Sequence, residues 1–248
     1  IGLTPSQAAQ AAVLATVSPL FWLTSSRPLT DMPGLMLGMA VQVGLMRGLR
    51  EVRQHPGVVP TAWWWAAIGA GLVIGVRTQT MWLTGPLLCW CAGELASTGR
   101  WRDALRLIGA AAVGVLVWFI PMLVVVGGWT AYMGALGVQG TEDFVGVEML
   151  ATNPSWPLLT EALSRSFRTP WLHEGLASVV LILAGLGVVR LLGRSRRVLA
   201  LMLLAFWPYC VFHLTFQETA TIRYSLPLVA PVAVLAITAL SALARPVA

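Results

Sequence analysis

Lysine is absent from the sequence, and all 16 basic residues are arginines. Charged residues of both signs make up only 10% of the chain, whereas soluble globular proteins carry about 25%. With 57% hydrophobic residues, a chain of 248 residues could not bury its apolar side chains in a soluble domain. The composition therefore excludes an ordinary soluble protein and indicates a polytopic membrane protein.

Cysteine is scarce as well, and the three cysteines, Cys89, Cys91 and Cys210, all lie in apolar runs. On a helix Cys89 and Cys91 would point about 200° apart, and no second pair completes a metal-binding pattern. We therefore expect free, buried thiols. Internal repeats and low-complexity linkers are also lacking, which favours a single transmembrane domain over residues 1–248.

The net charge of +6 is spread over short connections between apolar runs. A nucleic-acid-binding protein would instead gather its arginines into one patch. We therefore expect no nucleic-acid partner and a membrane-lipid environment.

Long apolar runs are abundant. A helix needs about 20 apolar residues to cross a hydrocarbon core of about 30 Å, and lipid offers no hydrogen bonds to an open backbone. The sequence thus predicts an all-α, polytopic helical bundle of about eight transmembrane helices. The predicted spans are Ala8–Thr24, Met32–Gly48, Thr61–Val76, Thr80–Ser97, Ala104–Val126, Gly175–Leu192, Val198–Phe216 and Ser225–Leu243.

The distribution of arginine predicts the orientation of these spans. If the chain begins on the cytoplasmic side, most arginines fall inside, in the segments 47–53, 100–106 and 190–197. The long connection Gly127–Glu174 is then extracytoplasmic, and we predict a short interfacial helix over Pro157–Phe167 within it. Glu161 and Arg165 would form an i,i+4 ion pair on that helix.

A polar turn carrying Arg27 and Asp31 separates the first two predicted spans. In a chain with so few charges, this pair suggests the floor of a site at the outer membrane surface. Asp31 can also be explained as a helix N-cap with Pro33 in the first turn. The two interpretations are compatible, because a capping carboxylate keeps a second oxygen for a ligand.

Two further outer connections carry candidate site residues. Arg77 and Gln79 occupy a three-residue turn, where Arg77 either extends to the membrane interface or binds a lipid phosphate with its planar fork. Glu218, Arg223 and Tyr224 precede the last span, where Glu218 either neutralises Arg223 or shares a cavity with it. His173 and His213 lack partners at metal-ligand spacing, so we expect surface or interface roles for them.

Two segments resemble a known family. SPLFWLTSSRPLTDMPGLM, residues 18–36, is similar to the second outer loop of the GT-C membrane glycosyltransferases, and RYSLPLVAPVAVLA, residues 223–236, is similar to the close of their last common span. GVRTQTMWLTGPLL, residues 75–88, corresponds in place to the segment where relatives put a basic residue facing the lipid phosphate. The resemblance is particularly to the branch of the protein mannosyltransferases and aminoarabinose transferases, glycosyltransferase family 39.

The resemblance implies a transferase that moves a sugar, with inversion, from a polyprenyl-phosphate donor to a protein, lipid or glycan acceptor on the extracytoplasmic face of the cell membrane. Asp31 matches the family's second acidic position, and the resemblance implies Arg77 and Arg223 as candidate contacts of the lipid phosphate. Arg27, Gln79, Glu218 and Tyr224 are additional candidates. A divalent metal, which some relatives use, is left open.

The family's main catalytic acid lies in a first outer loop that has no counterpart here. The resemblance therefore implies that two further spans precede Ile1 and that residues 1–248 alone are inactive.

Two other classes compete with the transferase. A multi-pass transporter or lipid-handling permease would be expected to carry charges near the membrane midplane and to consist of repeated halves. A non-catalytic assembly subunit would tolerate the loss of every charge at the outer ends of the helices.

Overall fold

A computed structural model describes residues 3–55, 58–144, 146–218 and 220–243, without the side chains of residues 142–144. These residues form α-helices joined by short turns, which confirms the all-α prediction. The α-helices are α1 (Pro5–Thr16), α2 (Pro19–Ser25), α3 (Asp31–Gln54), α4 (Thr61–Val76), α5 (Met81–Ser97), α6 (Trp101–Val126), α7 (Trp129–Phe144), α8 (Trp156–Phe167), α9 (Glu174–Arg194), α10 (Arg196–Phe216) and α11 (Leu226–Leu243). Short 3₁₀ turns cover Thr78–Thr80, Thr169–Trp171 and Ile222–Ser225.

Five helical segments in the described part of the chain are long and apolar enough to cross a membrane. They are α3, α6, α9, α10 and the segment Ile222–Leu243, which contains α11. A sixth candidate arises if α1 and α2 count as one bent span. The protein thus has the helices of a multi-pass membrane protein. α4 and α5 have 16 and 17 residues, fewer than the roughly 20 that a span needs, and the count of eight stays a prediction.

The first predicted span is broken rather than continuous. α1 and α2 meet at an angle of 67° across Val17 and Ser18. Pro19 causes the break, because its ring disfavours a helical conformation at Ser18, whose ψ is 128°. The buried Ser18 hydroxyl donates a hydrogen bond of 2.7 Å to the carbonyl oxygen of Pro170.

The long connection between α6 and α9 is mostly helical. α8 occupies Trp156–Phe167, one residue longer than predicted, and Arg165 contacts Glu161 at 2.6 Å as expected. α7 was not predicted, because glycines at 134, 137 and 140 lower its helix propensity. Edge-to-face packing of Phe119 on Tyr132, at 5.5 Å between ring centroids, joins α6 to the start of α7.

The contacts divide the chain into two compact units. The terminal unit comprises residues 1–32 and 148–248, and the central unit comprises residues 33–147. Each unit is described by itself below. The expectation of a single transmembrane domain, with an extracytoplasmic loop at 127–174, stays a prediction.

Close packing of α9 on α11 organises the terminal unit. A Cβ placed at Gly187 of α9 would overlap the carbonyl oxygen of Leu235 of α11. α1 packs on α11, and α10 packs on α9 through a buried cluster of Leu191, Leu199 and Met202.

Close packing of α4 on α6 organises the central unit in the same way. A Cβ at Gly71 would overlap the carbonyl oxygen of Ala111, and a Cβ at Gly114 would overlap that of Ile68. Small residues allow such contacts, which supply much of the attraction between helices in membranes. α3 packs on α4 where Gly48 accommodates the fully buried indole of Trp63.

The close approach of α4 and α6 yields a stability prediction. We expect Gly114→Ala to lower the free energy of unfolding in detergent by about 1–3 kcal/mol, because its methyl group would meet backbone that cannot rotate away. Gly109→Ala is the matched control on the same helix, where an added Cβ meets nothing within 4 Å. The control should be neutral or stabilising by up to about 1 kcal/mol, since alanine is the better helix former. Equal stabilities in a denaturant titration would contradict the close packing.

Candidate functional site

The terminal unit contains a cavity of about 480 Å³ at the end of α2. We call it the Arg223 cavity. Its walls are mostly apolar, and Arg27 and Arg223 are the charged residues among those that line it. The complete lining is Pro19, Leu20, Leu23, Thr24, Arg27, Leu29, Thr169, Leu172, Ala220, Thr221, Ile222 and Arg223.

The break at Pro19 helps to form this cavity. The hydrogen bond from Ser18 to Pro170 ties the start of α2 to the 3₁₀ turn Thr169–Trp171, which is anchored by the buried Trp171. Leu172, the next residue, has a positive φ of 61°, which is costly for a residue with a side chain. Backbone hydrogen bonds from the amides of Leu172 and His173 to the carbonyl oxygens of Thr169 and Trp171 hold this strained residue at the cavity wall.

Arg223 lies in the 3₁₀ turn that leads into α11. Its guanidinium is 5.2 Å from the ring centroid of Tyr224, and its Nη2 is 3.5 Å from the Tyr224 hydroxyl oxygen, which is a long hydrogen bond. Its buried Nε has no hydrogen-bond acceptor among the described residues. Because Tyr209 donates a 2.7 Å hydrogen bond to the carbonyl oxygen of Tyr224, the turn itself is fixed. Arg223 thus keeps capacity for an anionic ligand.

Two carboxylates lie close enough to Arg223 to interact with it electrostatically, those of Asp31 and Glu218. Asp31 is the first residue of α3 and is 6% exposed. The amide groups of the first helical turn favour a negative charge there. Glu218 accepts a hydrogen bond from the hydroxyl of Thr221. The terminal unit therefore contains five of the predicted site residues, namely Arg27, Asp31, Glu218, Arg223 and Tyr224.

The other two predicted residues, Arg77 and Gln79, belong to the central unit. The hydroxyl of Thr80 donates to the carbonyl oxygens of Arg77 and Val73, at 2.6 and 3.1 Å, and closes the end of α4. Gly34 of α3 leaves room for Arg77, since a Cβ at Gly34 would lie 3.0 Å from the Cβ of Arg77. The buried Oε1 of Gln79 has no hydrogen-bond donor within the described part of the chain. That Arg77 shares a site with Asp31 stays a prediction.

A buried polar chain lies near the Arg223 turn and was not anticipated. The hydroxyl of Ser166 on α8 is 2.9 Å from Nε2 of His213 on α10, and Nδ1 of His213 is 2.8 Å from Oε1 of Gln217. All three side chains are buried. The ring of Tyr209 stacks on that of His213, with 6.3 Å between the ring centroids. The buried polar chain therefore lies next to the hydrogen bond from Tyr209 to the carbonyl oxygen of Tyr224.

The expected surface or interface role is therefore wrong for His213. It holds for His173, which is exposed and caps α9 by accepting a hydrogen bond from the amide of Gly175. The i,i+4 spacing of His213 and Gln217 was a usable signal, because such residues meet on one helix face. Ser166 lies 47 residues from His213 in sequence, and no sequence pattern indicated this contact.

The described residues contain no group of three His, Cys, Asp or Glu side chains that could hold a metal ion. The cysteines are free, as expected, and Cys91 and Cys210 are buried. The prediction of burial is wrong for Cys89, which is exposed. Two positions along a helix amount to a rotation of about 200°, so Cys89 lies on a different helix face from the buried Cys91.

Comparison of the chain with family models, with curated proteins and with solved structures gives no match. The family resemblance of the three segments thus stays a hypothesis.

The polar chain yields a second stability prediction. We expect Ser166→Ala to destabilise the protein by about 1–3 kcal/mol, because the buried His213 ring nitrogen loses its partner. Ser164→Ala on the same helix is the matched control, since Ser164 is exposed, and it should change stability by about 0.5 kcal/mol or less. The measurement is thermal or denaturant unfolding in detergent. Indistinguishable unfolding of the two variants would show that the polar chain contributes nothing.

Proposed function

We propose that the protein is a membrane glycosyltransferase of the GT-C type, which transfers a sugar from a polyprenyl-phosphate-linked donor to an acceptor on the extracytoplasmic face of the cell membrane. The observation that supports this most directly is the Arg223 cavity. It combines apolar walls with two arginines. The Nε of Arg223 can still donate a hydrogen bond, because it has no acceptor among the described residues.

The chemistry of the cavity suits a lipid-linked sugar phosphate. A volume of about 480 Å³ lies within the roughly 300–1,000 Å³ of small-molecule sites and would hold the sugar and its phosphate. Leu20, Leu23 and Ile222 would contact the first isoprene units. The planar guanidinium of Arg223 can donate to two phosphate oxygens at once.

The proposed reaction is a direct displacement at the anomeric carbon. A base removes the proton of the acceptor hydroxyl, and the oxygen attacks from the face opposite the phosphate. The bond from the anomeric carbon to the phosphate oxygen breaks, its electron pair leaves with the lipid phosphate, and the configuration inverts.

In this reaction, the residues of this chain stabilise the charge of the leaving phosphate and position the reacting groups. Negative charge develops on the departing phosphate, and Arg223, together with Arg27, stabilises it electrostatically. Asp31 positions the donor or the base, and it holds Arg223 by electrostatic attraction. The base itself is assigned to no residue of this chain.

Transfer activity tests the assignment of Arg223. In membranes that contain the full-length protein, we expect Arg223→Gln to reduce transfer from radiolabelled polyprenyl-phosphate sugars about 100-fold, because the leaving phosphate loses a charged donor. Asp31→Asn should reduce it as well. The matched control is Arg168→Gln, which removes an exposed arginine next to the cavity lining and should leave the rate within about twofold.

Three results would contradict the proposal. One is an unchanged rate in Arg223→Gln, and another is an equal loss in Arg168→Gln. The third is movement of the labelled lipid between leaflets of proteoliposomes without any transfer of its sugar, which would identify a transporter instead.

The proposed orientation is tested by labelling introduced cysteines in intact cells, in a Cys89→Ser background. Ser26→Cys places a thiol at the exposed end of α2 beside the Arg223 cavity, and Arg196→Cys places one at the exposed start of α10. We expect a membrane-impermeant maleimide to label the first variant and not the second. Labelling of only the second variant would place the cavity on the cytoplasmic face.

A further inference from the structure

The terminal unit has a second cavity, of about 300 Å³, formed by the start of α1, the end of α9, the start of α10 and the last turns of α11. We call it the Arg190 cavity. α9 runs from Glu174, two residues after the Leu172 that lines the Arg223 cavity, to Arg194, which lines this one. Since 21 helical residues span about 30 Å, the two cavities lie at opposite ends of α9.

The charge of the Arg190 cavity is of one sign. Arg190 and Arg194 lie one helical turn apart on α9, and both line the cavity. No carboxylate is among its lining residues. Within the described residues, neither guanidinium has a hydrogen-bond acceptor or an ion-pair partner, whereas Arg53, Arg100 and Arg165 are all paired.

The start of α10 lies at this end and contributes Ser195 and Val198 to the lining. The partial positive charge of a helix N-terminus favours an anion nearby. Thr4 and Gln7 also line the cavity, and each has a side chain engaged in capping α1.

The remaining lining is apolar and includes Leu191, Val198, Met202 and Val234. Because α9 is long enough to cross a membrane, its last turn would lie at the depth of lipid headgroups. A phosphate attached to an acyl chain matches this combination of two free guanidinium groups above an apolar wall. Basic pockets between membrane helices bind anionic headgroups in this way.

We propose that the Arg190 cavity binds a phosphate group, with an anionic phospholipid as its source, at a site separate from the Arg223 cavity. The proposal does not depend on glycosyltransferase activity. The competing explanation is that Arg190 and Arg194 serve only as surface charges that compensate the dipole of α9. If that explanation is correct, no lipid binds specifically, and neutralising Arg190 and Arg194 has the same effect as neutralising another pair of arginines at this end.

The experiment measures thermal unfolding of the purified full chain in detergent during titration with short-chain phosphatidylglycerol, phosphatidylcholine or inorganic phosphate. A ligand that binds only the folded protein raises the unfolding temperature, and the shift grows with the logarithm of its free concentration above the Kd. We expect phosphatidylglycerol to stabilise the wild type, with an effect that weakens as NaCl is added, and phosphatidylcholine to have little effect. A response to inorganic phosphate alone at equal concentration would keep the phosphate site and identify free phosphate as the source.

Charge-matched variants locate the site. Arg190→Gln/Arg194→Gln should weaken the phosphatidylglycerol response about tenfold, the effect of losing charge-assisted hydrogen bonds. Arg196→Gln/Arg197→Gln removes the same charge at the same end from outside the cavity lining and should retain the response. Arg223→Gln should retain it too, which separates this site from the one in the proposed function.

Equal weakening in both double variants would overturn the proposal in favour of general surface charge, as would equal stabilisation by the two phospholipids. If Arg190→Gln/Arg194→Gln does not fold, mass spectrometry of lipid retained by the wild type decides. Enrichment of phosphatidylglycerol over phosphatidylcholine, lost at high salt, would support the site, and equal retention would refute it.

Discussion

A chain so poor in polar groups must satisfy each buried one from within, because lipid supplies no hydrogen-bond partner. Much of the described structure follows from this constraint. The hydroxyl of Ser18 donates to the carbonyl oxygen of Pro170 where Pro19 breaks the first helix. The side-chain amide of Gln42 on α3 donates to the carbonyl oxygen of Leu83 on α5. Among the described residues, the Nε of Arg223 is one of the few buried polar atoms that remain without a partner.

The terminal unit separates its charges between two ends. The end with the Arg223 cavity mixes signs, since Asp31 and Glu218 act on Arg223 there. The end with the Arg190 cavity carries arginines without a carboxylate in its lining. Arginines line both cavities, and the difference lies in the two carboxylates that act on Arg223 from nearby.

The helices of both units approach closely through small residues. Gly187 in the terminal unit, and Gly71 and Gly114 in the central unit, lie against backbone carbonyl oxygens of the neighbouring helix. Such contacts fix the helices through van der Waals packing. Short turns lie at the ends of these helices: Thr78–Thr80 follows Arg77 at the end of α4, and Ile222–Ser225, which contains Arg223, precedes α11.

The sequence by itself determined the helical class, the membrane character and the short helix at Trp156–Phe167, because these depend on composition and local periodicity. It also indicated Arg27, Asp31, Arg77, Glu218 and Arg223 as candidates, because charges are rare enough in this chain to stand out. The break at Pro19 was readable in principle, whereas α7 was hidden by its glycines.

Only the tertiary structure decided which distant residues meet. Ser166 reaches His213 across 47 positions, and Arg27 and Arg223 line one cavity although all residues of the central unit lie between them in sequence. The periodicity of a sequence indicates which face of a helix is apolar. It does not indicate which helix packs on that face, because helix packing depends on contacts between side chains far apart in the chain.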